Sequence, residues 1–190
     1  MPGALARLRR QHPDIDVALT ETEPPEAIEL LERGDADLAL VFGYDADPVV
    51  AGRDLRWVPI GAEPVDLVLP PDHPARARRR LGIAQLRDEA WIAGCDRCRA
   101  HLVTLCEAAG FVPDIRHVSD DYVVVQNLVA AGLGISMLPR SATTAYRNPE
   151  VEVRPSRTFG ERRFGIAHRE GAAAVPANAA LIRELHKHRL

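Results

Sequence analysis

Residues Asp121–Pro139 read DYVVVQNLVAAGLGISMLP, which is a helix, a glycine turn and a short apolar strand in succession. Val124, Val125, Leu128 and Val129 recur at the i, i+1, i+4, i+5 spacing of one helical face. Gly132 suits the position just past a helix end, where a residue without Cβ takes the left-handed conformation at little cost. Ile135–Leu138 then forms a short apolar run, and Pro139 stops it.

Composition narrows the class. An apolar fraction of 46% supports a real core, and 27% charged residues argue against disorder and membrane residence. Apolar runs such as Val123–Val125 and Leu128–Ala131 fall far short of the roughly 20 residues of a membrane helix. No basic stretch followed by an apolar one opens the chain, so no secretory signal is expected and the reading is cytoplasmic. A net charge of −3 gives no general affinity for nucleic acid. The densest basic patch, Arg76–Arg80, reads as a solvated loop or helix start, with phosphate binding as the alternative.

The same reading extends along the chain. Pro2–Gln11 is an expected helix with Leu5 and Leu8 on one face, and Asp16–Thr22, alternating Val17 and Leu19, is an expected strand. Pro24 and Pro25 fit the first turn of a helix that buries Ile28 and Leu31 and closes at Gly34. Asp37–Phe42 is an expected buried strand, and Leu55–Ile60 and Val65–Leu69 are expected strands parted by a turn at Gly61. A second rhythm follows: strand Ala90–Ala93, helix Arg97–Ala109, strand Ile115–Val118, helix Asp121–Ala131, strand Gly134–Leu138. The tail holds a small helix at Ser141–Tyr146, strands near Val151–Val153 and Arg163–Ala167, and a final helix from Pro176 that gathers Leu181, Ile182 and Leu185. Alternating helices and strands predict two α/β lobes, residues 1–64 with 141–190 and residues 65–140, with a ligand cleft between them.

Three segments, in order and spacing, carry a resemblance to a known family: HPDIDVALTETEPPEAIELLERGDADLAL (His12–Leu40), VDLVLPPDHPARARRRLGIAQLRDEAWI (Val65–Ile92) and LVAAGLGISMLP (Leu128–Pro139). Together they resemble the effector-binding domain of LysR-type transcriptional regulators. That resemblance implies a two-lobe type 2 periplasmic-binding-protein-like fold, a small-molecule effector, a homodimer and no catalysis or cofactor. Effector binding would change the angle between lobes and so bias an oligomer's grip on DNA. DNA contact in the family belongs to an N-terminal winged helix-turn-helix, which this chain lacks. MPGALARLRRQHPDI (Met1–Ile15) matches the helix that follows the first sheet strand, so the first lobe is expected without that strand and with an exposed edge.

Effector contacts are expected at strand-end turns. Matching positions give Thr22, Glu23 and Pro24, then Phe42 and Gly43, in the first lobe. In the second they give Gly94, Cys95, Asp96 and Arg97, then Ser119, Asp120, Asp121 and Tyr122, with Pro139 at the hinge. Thr22, Ser119 and Asp120 are equally suited to helix capping. Arg97, near a helix start, suits a carboxylate clamp and hints at an anionic effector, the alternative being an ion pair with Asp96 or Glu89.

Cys95, Cys98, His101 and Cys106 form the one chemically pointed cluster, C-x2-C-x2-H-x4-C. Two cysteines at a helix start suit a redox pair or a metal. Cys106, however, lies two turns beyond Cys98, roughly 12 Å at 1.5 Å per residue, so no metal site is assigned and Cys106 is expected in the core. No G-x-S-x-G, P-loop or G-x-G-x-x-G is present, and His73, His117 and His168 read as isolated surface or loop residues. The alternatives to an effector sensor are a transporter's solute-binding protein and a small enzyme on the same fold.

Overall fold

Pro2, with its φ preset for a helix start, opens α1 (Pro2–Gln11), which buries Ala4 and Leu8. Pro24 and Pro25 open α2 (Pro24–Arg33), which buries Ala27, Ile28 and Leu31 and closes at Gly34. The computed structural model describes residues 1–44, 50, 54–78, 81–156 and 158–187. They divide into unit 1, Met1–Ala62 with Arg163–Leu190, and unit 2, Glu63–Arg162. Residues 141–162, expected with the first lobe, thus group with unit 2.

In unit 1 the strands are β1 (Leu38–Tyr44), the first part of β2 (Leu55–Leu69) and most of β7 (Glu161–Arg169), in the order β1-β7-β2. Ile28 and Leu31 of α2 meet Ala39, Val41, Leu55 and Ala167 in one apolar cluster. A second cluster joins Ala4 of α1 to Ile60, Phe164 and Ile166 and to Leu185 of α6 (Pro176–His186). Leu181 and Ile182 pack on the same cluster, as the final helix's spacing predicted. Arg7 of α1 donates to the Glu184 carboxylate of α6 at 2.9 Å.

Several expectations fail in unit 1. Asp16–Thr22 forms no strand, and its Val17 and Leu19 are 39% and 61% exposed. Alternation supplies the side-chain pattern of a strand, but a strand exists only by pairing, and none of the described strands pairs with it. Gly61, expected as a turn, lies inside the continuous β2, where the Phe164 ring occupies the space a side chain would fill, 3.1 Å from an ideal Cβ. His168, expected at the surface, is a buried residue of β7 bonded to the Arg169 carbonyl at 2.8 Å.

Unit 2 is built on the second part of β2, β3 (Ala90–Ala93), β4 (Asp114–Val118) and β5 (Ile135–Pro139), in the order β2-β5-β3-β4. β2 and β5 are antiparallel, with Val65 opposite Pro139 and Val68 opposite Ser136, so Pro139 ends the strand within the ladder. β3 lies parallel to β5 and to β4, with a register shift at Trp91/Ile92. β6 (Glu152–Arg154) pairs with β2 on its other side. Helix α3 (Asp96–Ala108) follows β3, α4 (Tyr122–Ala130) follows β4, and α5 (Arg140–Ala145) follows β5. Ile83–Leu86 forms a 3-10 helix before β3.

The stretch Asp121–Pro139 folds as its sequence predicts, with one amendment. Val125 and Val129 are fully buried with Val68, Ile92 and Leu138, and Leu128 packs at their edge. Val124 instead lies 42% exposed, so the apolar stripe is one residue narrower. Gly132 takes φ +74° and donates to the Val129 carbonyl, closing α4.

Cys106 is fully buried in unit 2, and burial pushes its thiol from 9.0 up to about 11. The folded chain therefore keeps a proton that the unfolded chain releases above pH 9, so stability is full below that pH. It is expected to fall between pH 9 and 11 at about 1.4 kcal/mol per pH unit. Urea midpoints measured across that window check this, and Cys106→Ala should remove one proton's worth of the slope.

Candidate functional site

Parallel pairing of β3 and β4 sets two strand-to-helix turns side by side in unit 2. The first is Gly94–Arg97 and the second Ser119–Tyr122, and the Ser119 N–H donates to the Ala93 carbonyl at 3.0 Å. Both turns point the positive ends of helices, α3 and α4, at the same edge of the sheet.

The two helix starts are finished differently. Asp121 is the N-cap of α4: its Oδ1 accepts from Val123 N at 2.7 Å and from Val124 N at 3.3 Å. Ser119 Oγ accepts from Asp121 N at 3.3 Å and so shapes the turn before the cap. Capping, foreseen for Ser119 and Asp120, thus falls to Asp121, and Asp120 is simply exposed. Cys95 is the N-cap of α3 and makes no side-chain capping bond there. Arg97 is half-buried in this turn, while Glu89, one of its expected partners, lies 3.1 Å from His73 Nε2.

Tyr122 connects the second turn to a buried ion pair. Its hydroxyl accepts from Arg162 Nη1 at 3.1 Å. Arg162 also donates to Glu63 Oε1 from Nε at 3.1 Å and from Nη2 at 2.6 Å. Glu63, 5% exposed, further accepts from the Ser141 backbone N at 2.6 Å and its hydroxyl at 3.0 Å. Burial pushes the Tyr122 phenol up against the opposing pull of Arg162, so it is neutral at physiological pH. Asp66 and Arg140 form a second, bidentate pair at 2.7 and 2.9 Å, with Asp66 nearly inaccessible. Sequence reasoning missed both pairs. The one available signal was two carboxylates, Glu63 and Asp66, in a strand that is otherwise apolar from Trp57 onward.

The remaining predicted residues belong to other elements. Pro139 is buried in β5 and serves as the N-cap of α5. In unit 1, Thr22 donates to Glu26, Glu23 is the N-cap of α2, and Pro24 is its buried first residue. Phe42 and Gly43, expected past a strand end, lie inside β1 because that strand runs on to Tyr44. Phe42 packs on the cluster of Ile60, Phe164 and Ile166, and its ring meets Tyr44 edge to face at 6.1 Å.

The cysteine cluster separates as helix geometry requires. Cys95 and Cys98 bring their sulfurs to 3.0 Å without a disulfide, whereas Cys106 is in the core. His101 is buried, with Nε2 at 2.7 Å from the Phe159 carbonyl. Among the described residues no three His, Cys, Asp or Glu side chains are placed to share a metal ion. Of the Arg76–Arg80 patch, Arg79 and Arg80 lie outside the described residues. The Arg78 carbonyl accepts from Arg154 at 2.7 Å.

The chain is similar to the HTH-type transcriptional regulator AlsR of Bacillus subtilis (strain 168). The two are 28% identical over 146 residues, 75% of this chain and 47% of that regulator. Among solved structures it is similar to the regulatory domain of Synechocystis PCC6803 CcmR in complex with 2-PG. There the TM-score is 0.83 and the identity 20%, over 98% of this chain and 89% of that one. The effector binding domain of QuiR in complex with shikimate gives a TM-score of 0.81 at 20% identity, over 100% of this chain and 91% of that one. These likenesses establish the type 2 periplasmic-binding-protein-like fold. The chain spans about half the length of the curated relatives it matches, 47% and 59% of the first two. The model of the LysR substrate binding domain matches residues 1–189, and the chain belongs to that family.

Proposed function

We propose that this chain senses a small organic molecule on behalf of a transcriptional regulator and carries out no chemistry on it. The observation that carries this reading is the adjacent pair of turns in unit 2, where α3 begins without a side-chain cap beside a turn held by Ser119 and Asp121. The positive end of the α3 dipole and a half-buried arginine favour an anionic group such as a carboxylate. The similar structures hold 2-PG and shikimate, which agrees with a small polar effector. Gly94, Cys95, Asp96 and Arg97, together with Ser119, Asp120, Asp121 and Tyr122, are the proposed effector contacts of unit 2. Thr22, Glu23, Pro24, Phe42 and Gly43 are those of unit 1. Pro139 completes the proposed contacts.

The sensor acts in the cytoplasm as a homodimer, and the regulator grips DNA through a winged helix-turn-helix. Among the described residues no helix is long and apolar enough to cross a membrane. Light scattering on the purified chain should give about twice 20.8 kDa. A mass of 20.8 kDa at high concentration would remove the dimer from the account.

The effector reading is tested by thermal unfolding with a panel of small carboxylates and phosphorylated carboxylates. A ligand that binds only the folded chain raises its midpoint with concentration. Arg97→Met and Ser119→Ala should each weaken that ligand by about tenfold, about 1.4 kcal/mol, with the unliganded midpoint little changed. Binding that is indifferent to both substitutions, or a ligand consumed during incubation, would refute the reading.

A further inference from the structure

We propose that Cys95 and Cys98 form a reversible dithiol–disulfide switch, oxidised by a small hydroperoxide. It stands independently of the effector reading. The two sulfurs lie 3.0 Å apart, so a bond between them needs only a small closing motion. Cys95 is the N-cap of α3 and Cys98 lies in its first turn, where helix N–H groups and the dipole favour a thiolate. Cys98 sits over the bare backbone of Gly94, where a Cβ would stand 3.5 Å from its sulfur. Both thiols are close enough to the Tyr122 phenol to act on it electrostatically, and Arg162 donates to that phenol at 3.1 Å. Cys106 is the internal contrast: burial keeps its thiol protonated, and it is inert at neutral pH.

The chemistry balances without any bound group. The Cys98 thiolate, on the more exposed of the two residues, attacks one oxygen of the hydroperoxide. An S–O bond forms, the O–O bond breaks, and the second oxygen leaves as water or an alcohol. Cys95 then attacks the sulfenic acid sulfur, the S–S bond forms, and the hydroxyl departs as water. Two electrons pass from the thiols to the peroxide, and dithiothreitol returns them.

The test uses the full chain, reduced and then exposed to a slight excess of hydrogen peroxide at pH 7, alkylated in denaturant and digested with trypsin. Cleavage after Arg97 places Cys95 and Cys98 in separate peptides, which only a bond between them can hold together. Expected are that linked pair, a 2 Da loss in intact mass, one alkylated thiol at Cys106, and full return of three thiols with dithiothreitol. In Cys95→Ser, a dimedone adduct should accumulate on Cys98, and Cys106→Ala should leave the linkage rate unchanged. Three alkylatable thiols after peroxide, a bond to Cys106, or irreversible oxidation of the wild-type chain would each overturn the proposal.

Discussion

Replacing Glu63 by alanine is expected to destabilise the protein by about 3–5 kcal/mol, because it strands a charge rather than merely removing one. The Arg162 side chain is 13% exposed, and Glu63 takes two of its donors as well as the N–H and hydroxyl of Ser141. Without the carboxylate, the guanidinium loses its counter-charge and the Ser141 N–H its acceptor. Glu63→Ala combined with Arg162→Met should regain a substantial part of the loss, since the uncompensated charge goes too. Urea unfolding of the two single variants and the double variant measures this. Additive losses would mean that the pair is not a unit. Tyr122 loses its Arg162 donor in the double variant, so weaker effector binding is also expected there.

Gly165→Ala is expected to cost about 3 kcal/mol or more, at the upper end of overpacking effects. An ideal Cβ at Gly165 would stand 2.5 Å from the Val58 carbonyl oxygen and 2.6 Å from the Trp57 ring. The first of these neighbours is backbone of the adjacent β2, so it can move only by parting the two strands. A folded Gly165→Ala variant with a wild-type midpoint would show that β7 does not approach β2 this closely. Gly132→Ala makes an informative comparison, because there the cost is conformational, with no neighbour within 4 Å.

What could be read from the sequence divides along the range of the interactions. The helix and strand of Asp121–Pro139, the start of α2 at Pro24 and the burial of Cys106 all follow from local pattern and residue chemistry, and all appear in the structure. Asp16–Thr22 has the pattern of a strand but lacks a partner, and pairing is what a strand consists of. Gly61 carries the local mark of a turn. Its true setting depends on Phe164, a residue far along the chain. The Glu63–Arg162 pair likewise joins residues 99 positions apart, and such a contact leaves no local trace. Of the candidate site, the turns Gly94–Arg97 and Ser119–Tyr122 could be placed because strand ends in α/β sheets meet helix starts. Their inner organisation, with Asp121 as cap and Tyr122 tied to Arg162, came only from the coordinates.

The most direct test of the effector-sensing claim is an amide-resolved NMR titration of the chain with the panel compound that most raises its unfolding midpoint. The account predicts one saturable site per chain, with the largest shifts at Gly94–Arg97 and Ser119–Tyr122 and no change in the compound itself. Shifts centred elsewhere, turnover of the compound, or a panel from which no member moves these amides would contradict it.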